Sequence, residues 1–212
     1  MIERSVPGYG MMLEMIGIIS REFVRPATRC YDLGCSLGAS TLAIATNLPC
    51  DDVKVIGVDN SAAMVDRCRE AITAARLEHP IDIRCEDVCA TSIDNASLVA
   101  MNFTLQFIAP ANREALLKKI HDGLNPGGVF ILSEKITDPD SATDELLIKL
   151  HHDFKGERGY SQLEIAQKRD ALEDVLLPDS LATHQQRLKA TGFSCVTPWF
   201  QCFNFTSILA IK

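Results

Sequence analysis

The stretch that decides the fold lies between residues 28 and 38 and reads Thr28-Arg29-Cys30-Tyr31-Asp32-Leu33-Gly34-Cys35-Ser36-Leu37-Gly38. Its first six residues predict a short β-strand, and its glycines predict a tight turn that opens a helix. Glycine permits such a turn and lets a ligand approach the backbone. Ligands of open α/β sheets bind at the carboxyl ends of the strands. The stretch therefore predicts an α/β fold with a binding site at this turn.

Outward from this stretch, short apolar runs alternate with segments of helical periodicity. We predict four further strands, at residues 53–59, 81–85, 97–103 and 129–133. Between the strands we predict helices at residues 40–48, 61–77 and 112–123. An apolar residue at every fourth position also predicts a helix before the first strand, with one face formed by Met11, Met15, Ile19 and Phe23. Strands that alternate with helices indicate a parallel sheet covered on both faces.

The alternation stops after residue 134. Helices are predicted at residues 143–155, 161–176 and 180–190, and strands at 196–200 and 204–211. The connection between the last two strands is short, which favours an antiparallel hairpin at the sheet edge. We therefore predict a single α/β domain over residues 1–212, built on a seven-stranded, mostly parallel sheet. Residues 135–178 are interpreted as a helical insertion that caps the ligand edge of the sheet.

Composition excludes several classes of protein. Of the 212 residues, 47% are hydrophobic, which is too many for a disordered chain. The formal net charge of −7 argues against a nucleic-acid binder that works through a broad basic face. The longest apolar stretch near the N-terminus is short and contains Glu14 and Gly17, so it predicts neither a membrane span nor a signal peptide. A cytoplasmic protein is expected.

The sequence contains eight cysteines, and none of them form a Cys-x-x-Cys pair. They are scattered through apolar and strand-like runs, without a secretory signal. We interpret them as buried reduced thiols, with disulfides or a zinc site as the alternative. No metal site is predicted.

Two acidic residues give the glycine turn its chemistry. Asp59 ends the second predicted strand, where a carboxylate can accept hydrogen bonds from a ribose, and Asp87 follows the third strand. Together with the turn, they indicate a nucleoside site; the alternative is an ordinary turn followed by chance surface acids. A Walker phosphate loop is absent, and Ser36 takes the middle glycine position of the dinucleotide fingerprint.

The turn instead resembles the first motif of the class I S-adenosylmethionine-dependent methyltransferases, which have a Rossmann-like fold. The segment Leu124-Asn125-Pro126-Gly127-Gly128 and the terminal hairpin are similar to the same superfamily. Longer segments resemble one family within it, the bacterial carboxy-S-adenosyl-L-methionine synthases. These segments include Arg4-Ser5-Val6-Pro7-Gly8-Tyr9, Asn102-Phe103-Thr104-Leu105-Gln106-Phe107, Gln167-Lys168-Arg169 and Trp199-Phe200-Gln201-Cys202-Phe203-Asn204-Phe205. Family members usually carry about 30 further residues before Met1.

This resemblance implies an enzyme that does not methylate. It implies a reaction of S-adenosyl-L-methionine with prephenate to give carboxy-S-adenosyl-L-methionine and phenylpyruvate. It further implies that the product is passed to a tRNA carboxymethyltransferase, which modifies the wobble uridine (cmo5U34), and that the chain forms a homodimer without binding nucleic acid or membrane. The alternatives are a small-molecule methyltransferase and a non-catalytic protein that binds S-adenosylmethionine.

The resemblance also implies ten residues that bind the nucleoside, namely Tyr9, Gly34, Cys35, Ser36, Asp59, Asn60, Asp87, Val88, Asn102 and Arg169. The turn residues would hold the amino-acid portion, with Asn102 close to the reacting methyl. Asp59 would bind the ribose, with Asn60 beside the adenine. Asp87 and the Val88 amide would bind the adenine.

Arg169 is the residue that would separate this family from ordinary methyltransferases. A carboxylated methyl group needs a partner for its new negative charge, and a guanidinium matches a carboxylate bidentately. The alternative is a solvated helix arginine. Prephenate is a dianion and also needs cations, for which Arg169, Lys135 and Arg4 are candidates of equal standing. The base that removes the methyl proton is not identified.

Two further clusters of residues can be interpreted either as functional or as purely structural. The segment His151-His152-Asp153 suggests a base or a metal cluster, although adjacent side chains diverge on a helix. Trp199, Phe200 and Phe203 suggest an aromatic wall of the site, and the hairpin core is the alternative.

Overall fold

A computed structural model of the chain describes residues 2–172 and 175–212, with the side chains of all of these except residues 168–170. The strands are β1 (Arg29–Leu33), β2 (Lys54–Asp59), β3 (Ile81–Cys85), β4 (Ala96–Asn102), β5 (Leu124–Thr137), β6 (Asp179–Ser180), β7 (Cys195–Cys202) and β8 (Phe205–Ile211). The α-helices are α1 (Tyr9–Phe23), α2 (Ala39–Ala45), α3 (Ala62–Ala75), α4 (Pro110–Gly123), α5 (Ser141–Glu157), α6 (Gln162–Asp170) and α7 (Leu181–Thr191). Short 3-10 helices cover Ile2–Arg4 and Leu105–Phe107.

The main sheet has the order β3-β2-β1-β4-β5-β8-β7. The first five strands of this order pair in parallel, and β8 pairs antiparallel with both β5 and β7. The predicted mostly parallel sheet of seven strands with an antiparallel C-terminal hairpin is therefore confirmed. The two-residue strand β6 was not predicted, and it pairs in parallel with the end of β5.

Both faces of the sheet are buried. Successive residues of β4 alternate between two cores, because side chains along a strand point to opposite faces. Val99 belongs to the core that includes α4 and α7, whereas Leu98 belongs to the core that includes α1 and α2. A third, smaller core joins α3 to β3. This covering leaves the carboxyl edge of the parallel strands as the open edge of the fold.

The prediction for helix α1 is only partly right: Ile19 and Phe23 of the predicted stripe are half-buried against the core, but the fully buried stripe is offset by one residue. Met12 and Ile16 are buried, whereas Met11 of the predicted stripe is 61% exposed. The predicted residues recur every four positions, as do the buried ones, and the two stripes are offset by one residue. Periodicity alone cannot choose between them, and packing against β4 and β5 settles the choice.

Several predicted boundaries differ from the structure, and two of these differences lie near the ligand edge. Strand β5 continues past Ser133 to Thr137, since it pairs with β8 as far as Lys135 and with β6 beyond it. The helix predicted at residues 161–176 ends at Asp170. Further along, the Leu177 N–H donates to the Gln106 carbonyl at 2.9 Å, and Pro178 disfavours helical geometry in the residue before it.

All eight cysteines are free, but the prediction that they are buried is only partly right. Cys30, Cys35 and Cys68 are buried, and Cys50 and Cys202 are half-buried. The remaining three, Cys85, Cys89 and Cys195, are exposed. In the described ranges, no helix has both the length and the apolar character needed to cross a bilayer.

Candidate functional site

The glycine turn after β1 is held close to β2. The N–H groups of Gly34 and Cys35 donate to the Val58 carbonyl at 2.7 and 2.9 Å. Gly34 has a φ of +84°, and a Cβ placed on it would lie 2.0 Å from the Thr104 Oγ1. Only glycine fits a left-handed position with so close a neighbour. The turn therefore brings bare backbone to the ligand edge of the sheet.

Asp59 joins this turn to the start of α3. Its Oδ2 accepts a hydrogen bond from the Ser36 N–H at 2.9 Å, and its Oδ1 accepts one from the Ser61 N–H at 2.9 Å. Each carboxylate oxygen offers further lone pairs to a ligand. Asn60 lies beside it and is exposed. The strand-end acid is thus oriented by backbone groups on both sides.

Asp32 lies beneath the turn and is 1% exposed. Burial raises the pKa of its carboxyl to about 6, and the hydrogen bond from the Thr41 hydroxyl at 2.6 Å opposes that rise. Because Thr41 belongs to α2, this contact ties the end of β1 to the helix that follows the turn. Asp32 therefore supports the site from below and does not line the cavity described next.

The Gly34 turn opens onto a cavity of about 1110 Å³. Nine of the ten predicted binding residues line it, namely Tyr9, Gly34, Cys35, Ser36, Asp59, Asn60, Asp87, Val88 and Asn102. The tenth, Arg169, has a side chain outside the described part of the structure. Residues from α1 and from the carboxyl ends of β1, β2, β3 and β4 thus meet in one cavity.

Asp87 and Val88 form the wall of the cavity after β3. The Asp87 Oδ1 accepts a hydrogen bond from the Cys89 N–H at 2.7 Å, which fixes the carboxylate in the bend. The Lys119 ammonium donates to the carbonyls of Val88 and Cys89 at 3.0 and 2.7 Å. These contacts make a rigid bend whose carboxylate faces the same cavity as Asp59.

Asn102 ends β4 in the middle of the cavity wall. Its Nδ2 donates to the Ser40 hydroxyl at 2.8 Å, while its Oδ1 is buried without a hydrogen-bond partner in the described part of the chain. A buried amide oxygen without a donor is unfavourable by about 1–3 kcal/mol. A ligand that offers a donor at this point would remove that penalty.

Tyr9 enters the cavity from the N-terminal helix. Its side chain is buried, and burial, with a smaller contribution from the Asp32 charge, raises the pKa of its phenol above the usual range. Its ring lies 6.4 Å from that of Phe103, which in turn contacts Phe205 at 5.9 Å. Tyr9 is therefore a neutral hydroxyl that closes the apolar side of the cavity.

Several important residues were missed in the sequence. Glu134 is 1% exposed and accepts hydrogen bonds from the N–H groups of Thr104, Leu105 and Gln106, at 3.2, 2.9 and 3.0 Å. Burial raises the pKa of its carboxyl to about 8, against the effect of these three donors. Glu134 thus clamps the loop that follows Asn102. An acid directly after the predicted end of an apolar strand was the available signal.

A second group contributes most of the basic side chains of the cavity. His151, His152 and Lys155 of α5 line it together with Lys135 of β5. Lys135 was a candidate cation from the sequence and the two histidines belonged to the candidate His-His-Asp cluster, whereas Lys155 was missed. The spacing of four residues between His151 and Lys155 places both on one helix face and could have indicated the group.

The His-His-Asp segment does not gather a metal-binding set. The Nε2–H of His151 donates to the Ser5 carbonyl at 2.8 Å, which ties α5 to the N-terminal segment. Within the described residues, no group of three or more His, Cys, Asp or Glu side chains is arranged to hold a metal ion.

Two other candidates lie away from the cavity. Arg4 donates to the Arg158 carbonyl at 2.8 Å, and its guanidinium lies 5.0 Å from the centre of the Tyr160 ring. Trp199 and Phe200 pack against the core on the α1 face, as the core interpretation requires. Phe205, from the following strand, does line the cavity, together with Tyr9, Phe103 and Phe107.

Comparison with known proteins agrees with this geometry. A model of the methyltransferase domain matches residues 31–128. Human N-acetylserotonin methyltransferase in complex with SAM has a similar fold, with a TM-score of 0.62 and 18% sequence identity, over 96% of this chain and 51% of that one.

Closer relatives are found among bacterial proteins. The carboxy-S-adenosyl-L-methionine synthase of Hahella chejuensis is 57% identical over 100% of this chain and 88% of its own length. The protein of the same name from Trichlorobacter lovleyi is 53% identical over 100% of this chain and 87% of its own length. With this similarity, and with the glycine turn and both strand-end acids in one cavity, the chain belongs to the carboxy-S-adenosyl-L-methionine synthase family.

Proposed function

We propose that this protein converts S-adenosyl-L-methionine and prephenate to carboxy-S-adenosyl-L-methionine and phenylpyruvate. Membership of the family supports the proposal. The observation that carries it is the presence of Lys135 in the same cavity as Asp59 and Asp87. A neutral methyl acceptor needs no ammonium group beside the sulfonium, whereas a dianionic second substrate needs cationic partners in the cavity.

The nucleoside would bind at the β1–β2–β3 side of the cavity. Asp59 would accept hydrogen bonds from the ribose hydroxyls, and Asp87 would accept one from the adenine amino group beside the Val88 amide. The Gly34 turn would hold the amino-acid portion through its backbone, because no side chain stands between that backbone and the ligand. These roles are supported by the shared cavity and by the backbone contacts that orient both carboxylates.

The methyl group would react near Asn102 and Tyr9. Asn102 contributes a buried amide oxygen without a partner in the described ranges, and Tyr9 contributes a neutral hydroxyl. Both groups can orient polar atoms without adding charge. The aromatic rings of Phe103 and Phe205 exclude water from this side, which favours capture of carbon dioxide over its loss.

The proposed reaction balances with one molecule of water as a further product. Prephenate loses its ring carboxylate as carbon dioxide and its ring hydroxyl as hydroxide, and the ring becomes aromatic. The methyl carbon of the sulfonium loses a proton and forms a bond to carbon dioxide, and the proton and hydroxide form water. Because the leaving hydroxide can accept the proton, the balance requires no protein base.

The setting of this activity is also a proposal. The product would serve as the carboxymethyl donor of a tRNA carboxymethyltransferase, and the chain would act in the cytoplasm as a homodimer without binding tRNA. The net charge of −7 supports the absence of nucleic-acid binding, because phosphate recognition relies on a basic surface.

Mass spectrometry of the nucleoside released after incubation tests the reaction. The purified protein is incubated with S-adenosyl-L-methionine, with and without prephenate, and we expect carboxy-S-adenosyl-L-methionine and phenylpyruvate in equal amounts only when prephenate is present. Unmodified S-adenosyl-L-methionine in both samples would refute the proposal. Methyl transfer to an added acceptor would favour a small-molecule methyltransferase instead.

A further inference from the structure

The two ends of the cavity differ in charge. Asp59 and Asp87 follow β2 and β3, at one side of the parallel sheet. The opposite side carries what we call the basic wall, formed by Lys135, His151, His152 and Lys155. Strands β2 and β5 are separated by β1 and β4, so three strand spacings of roughly 14 Å in total lie between the acids and Lys135. Arg67 of α3 is a further basic residue of the lining, but the basic wall groups four basic residues without an acid among them. An anion is therefore favoured at the basic wall.

Lys135 is the member of the basic wall that the sheet itself positions. It pairs with Phe205 in the β5–β8 ladder, and both residues line the cavity. Burial lowers the pKa of its ammonium group, and the more distant Asp144 opposes this effect. Among the described residues, no carboxylate forms an ion pair with Lys135, and Asp144 instead accepts a hydrogen bond from the Asp138 N–H at 2.9 Å. A half-buried ammonium group in this state favours an anionic guest.

His151 shows that the charges of the basic wall converge. Burial lowers the pKa of its ring to about 4, the Ser5 carbonyl opposes this, and the charges of Lys155 and Lys135 add to the lowering. The ring is therefore neutral and donates from Nε2 to Ser5. Two ammonium groups from different elements thus act on one point of the cavity.

Apolar side chains also contribute to the lining. Phe103, Phe205, Leu172 and Leu176 all line the cavity. Such a surface fits a guest with a hydrocarbon ring between its polar groups. The chemistry of the cavity thus selects a cyclic carboxylate, bound with its negative charge away from Asp59 and Asp87.

The two carboxylates of prephenate have different fates in the proposed reaction. The ring carboxylate leaves as carbon dioxide, so an ion pair to it would stabilise the bound substrate more than the transition state and slow the reaction. The side-chain carboxylate keeps its charge from substrate to phenylpyruvate. A fixed cation can bind this second group without any cost to the rate.

We propose that Lys135, supported by the rest of the basic wall, binds the side-chain carboxylate of prephenate, and that the departing ring carboxylate lies against the apolar side chains of the lining. This inference rests on the proposed function and assigns the second-substrate subsite within it. It predicts that phenylpyruvate, which retains the side-chain carboxylate, binds to the same lysine.

The test replaces Lys135 with methionine, which preserves length and removes the charge. The control is Lys149→Met on the exposed face of α5, where the lysine is 74% exposed and pairs with Asp153. We expect Lys135→Met to raise the KM for prephenate and the Kd for phenylpyruvate at least tenfold, with the Kd for S-adenosyl-L-methionine changed by less than twofold. Lys149→Met should change none of these values. Lys135→Arg should restore part of the lost affinity.

The outcomes separate this inference from the proposed function. If the wild type forms carboxy-S-adenosyl-L-methionine but Lys135→Met binds prephenate and phenylpyruvate normally, the assignment of Lys135 is overturned and the function stands. If the wild type forms no product but binds phenylpyruvate in a Lys135-dependent manner, the function fails and the anion subsite stands. An equal loss of affinity for both substrates in Lys135→Met and Lys135→Arg would show a general structural role and overturn the assignment.

Discussion

Replacing Gly34 with alanine tests whether the turn is built for close backbone contact. Gly34 has a φ of +84°, and a Cβ would lie 2.0, 2.6 and 2.8 Å from the Oγ1, Cγ2 and Cβ atoms of Thr104. A left-handed alanine costs roughly 1–2 kcal/mol. Overpacking against a fixed neighbour costs typically ~1–3 kcal/mol more. We therefore expect Gly34→Ala to lower the free energy of unfolding by about 2–5 kcal/mol.

Gly127 offers a matched control for the backbone part of this effect. Its φ of +76° is similar, but a Cβ on it would meet nothing within 4 Å. Gly127→Ala should therefore show the conformational cost alone, so the two variants should differ by about 1–3 kcal/mol. For a chain of this length, that difference corresponds to a gap in Tm of roughly 6 °C.

Thermal unfolding followed by circular dichroism measures the gap, and isothermal titration calorimetry measures binding. The affinity for S-adenosyl-L-methionine should fall at least ~10-fold in Gly34→Ala, because a shift of about 1 Å in a positioning segment has effects of that order or larger. It should stay unchanged in Gly127→Ala. Equal Tm values for the two variants, or normal binding by Gly34→Ala, would refute the close-approach argument.

Three further predictions concern other parts of the chain. Arg113→Met should lower the free energy of unfolding by about 2–4 kcal/mol in urea titrations, because the buried guanidinium donates to three carbonyl oxygens and to Asp179. Arg29→Met, at an exposed ion pair, should cost less than ~1 kcal/mol, and equal losses in the two variants would contradict this. His184 is buried, and its burial lowers the ring pKa to about 4, so below pH ~6.5 the unfolded chain binds a proton that the folded chain does not. The wild type should therefore lose roughly 2 kcal/mol of stability between pH 7 and 4.5, and His184→Phe should not show this loss. Parallel pH profiles of stability for the two proteins would exclude this. Arg169→Ala should weaken binding of carboxy-S-adenosyl-L-methionine at least ~10-fold more than binding of S-adenosyl-L-methionine, because only the former carries the new carboxylate. Equal losses of affinity in direct titrations would show that Arg169 does not bind this carboxylate.

The parallel sheet was predictable because each strand combines an apolar run with a turn at its carboxyl end. Asp59 and Asp87 were found for the same reason: acids that directly follow apolar strands stand out in the sequence. By contrast, the buried face of α1 was predicted one residue out of register. Met11 and Met12 are both apolar, and only contact with the sheet distinguishes them.

Local pattern offered members of the basic wall one by one, but not their meeting in one place. His151 and Lys155 belong to a helix after the sheet motif, and Lys135 belongs to a strand extension that exists because β6 and β8 pair with it. These partners lie more than 40 residues further along the chain. Glu134 also follows an apolar run, but its role depends on three N–H groups of the loop after Asn102, and the sequence does not place that loop beside it.

Because Glu134 and Lys135 are adjacent in β5, this part of the sequence cannot accept insertions or deletions without disturbing the site. Glu134 holds the loop after Asn102, and Lys135 faces the proposed second-substrate subsite. Adjacent residues of β5 thus position the groups that would bind the two substrates. No hinge separates them, and their spacing does not depend on a domain movement. Inserting a single residue before Glu134 would exchange the faces of both side chains at once. Length variation in this family is therefore expected in the loops, and never between Ser133 and Lys135.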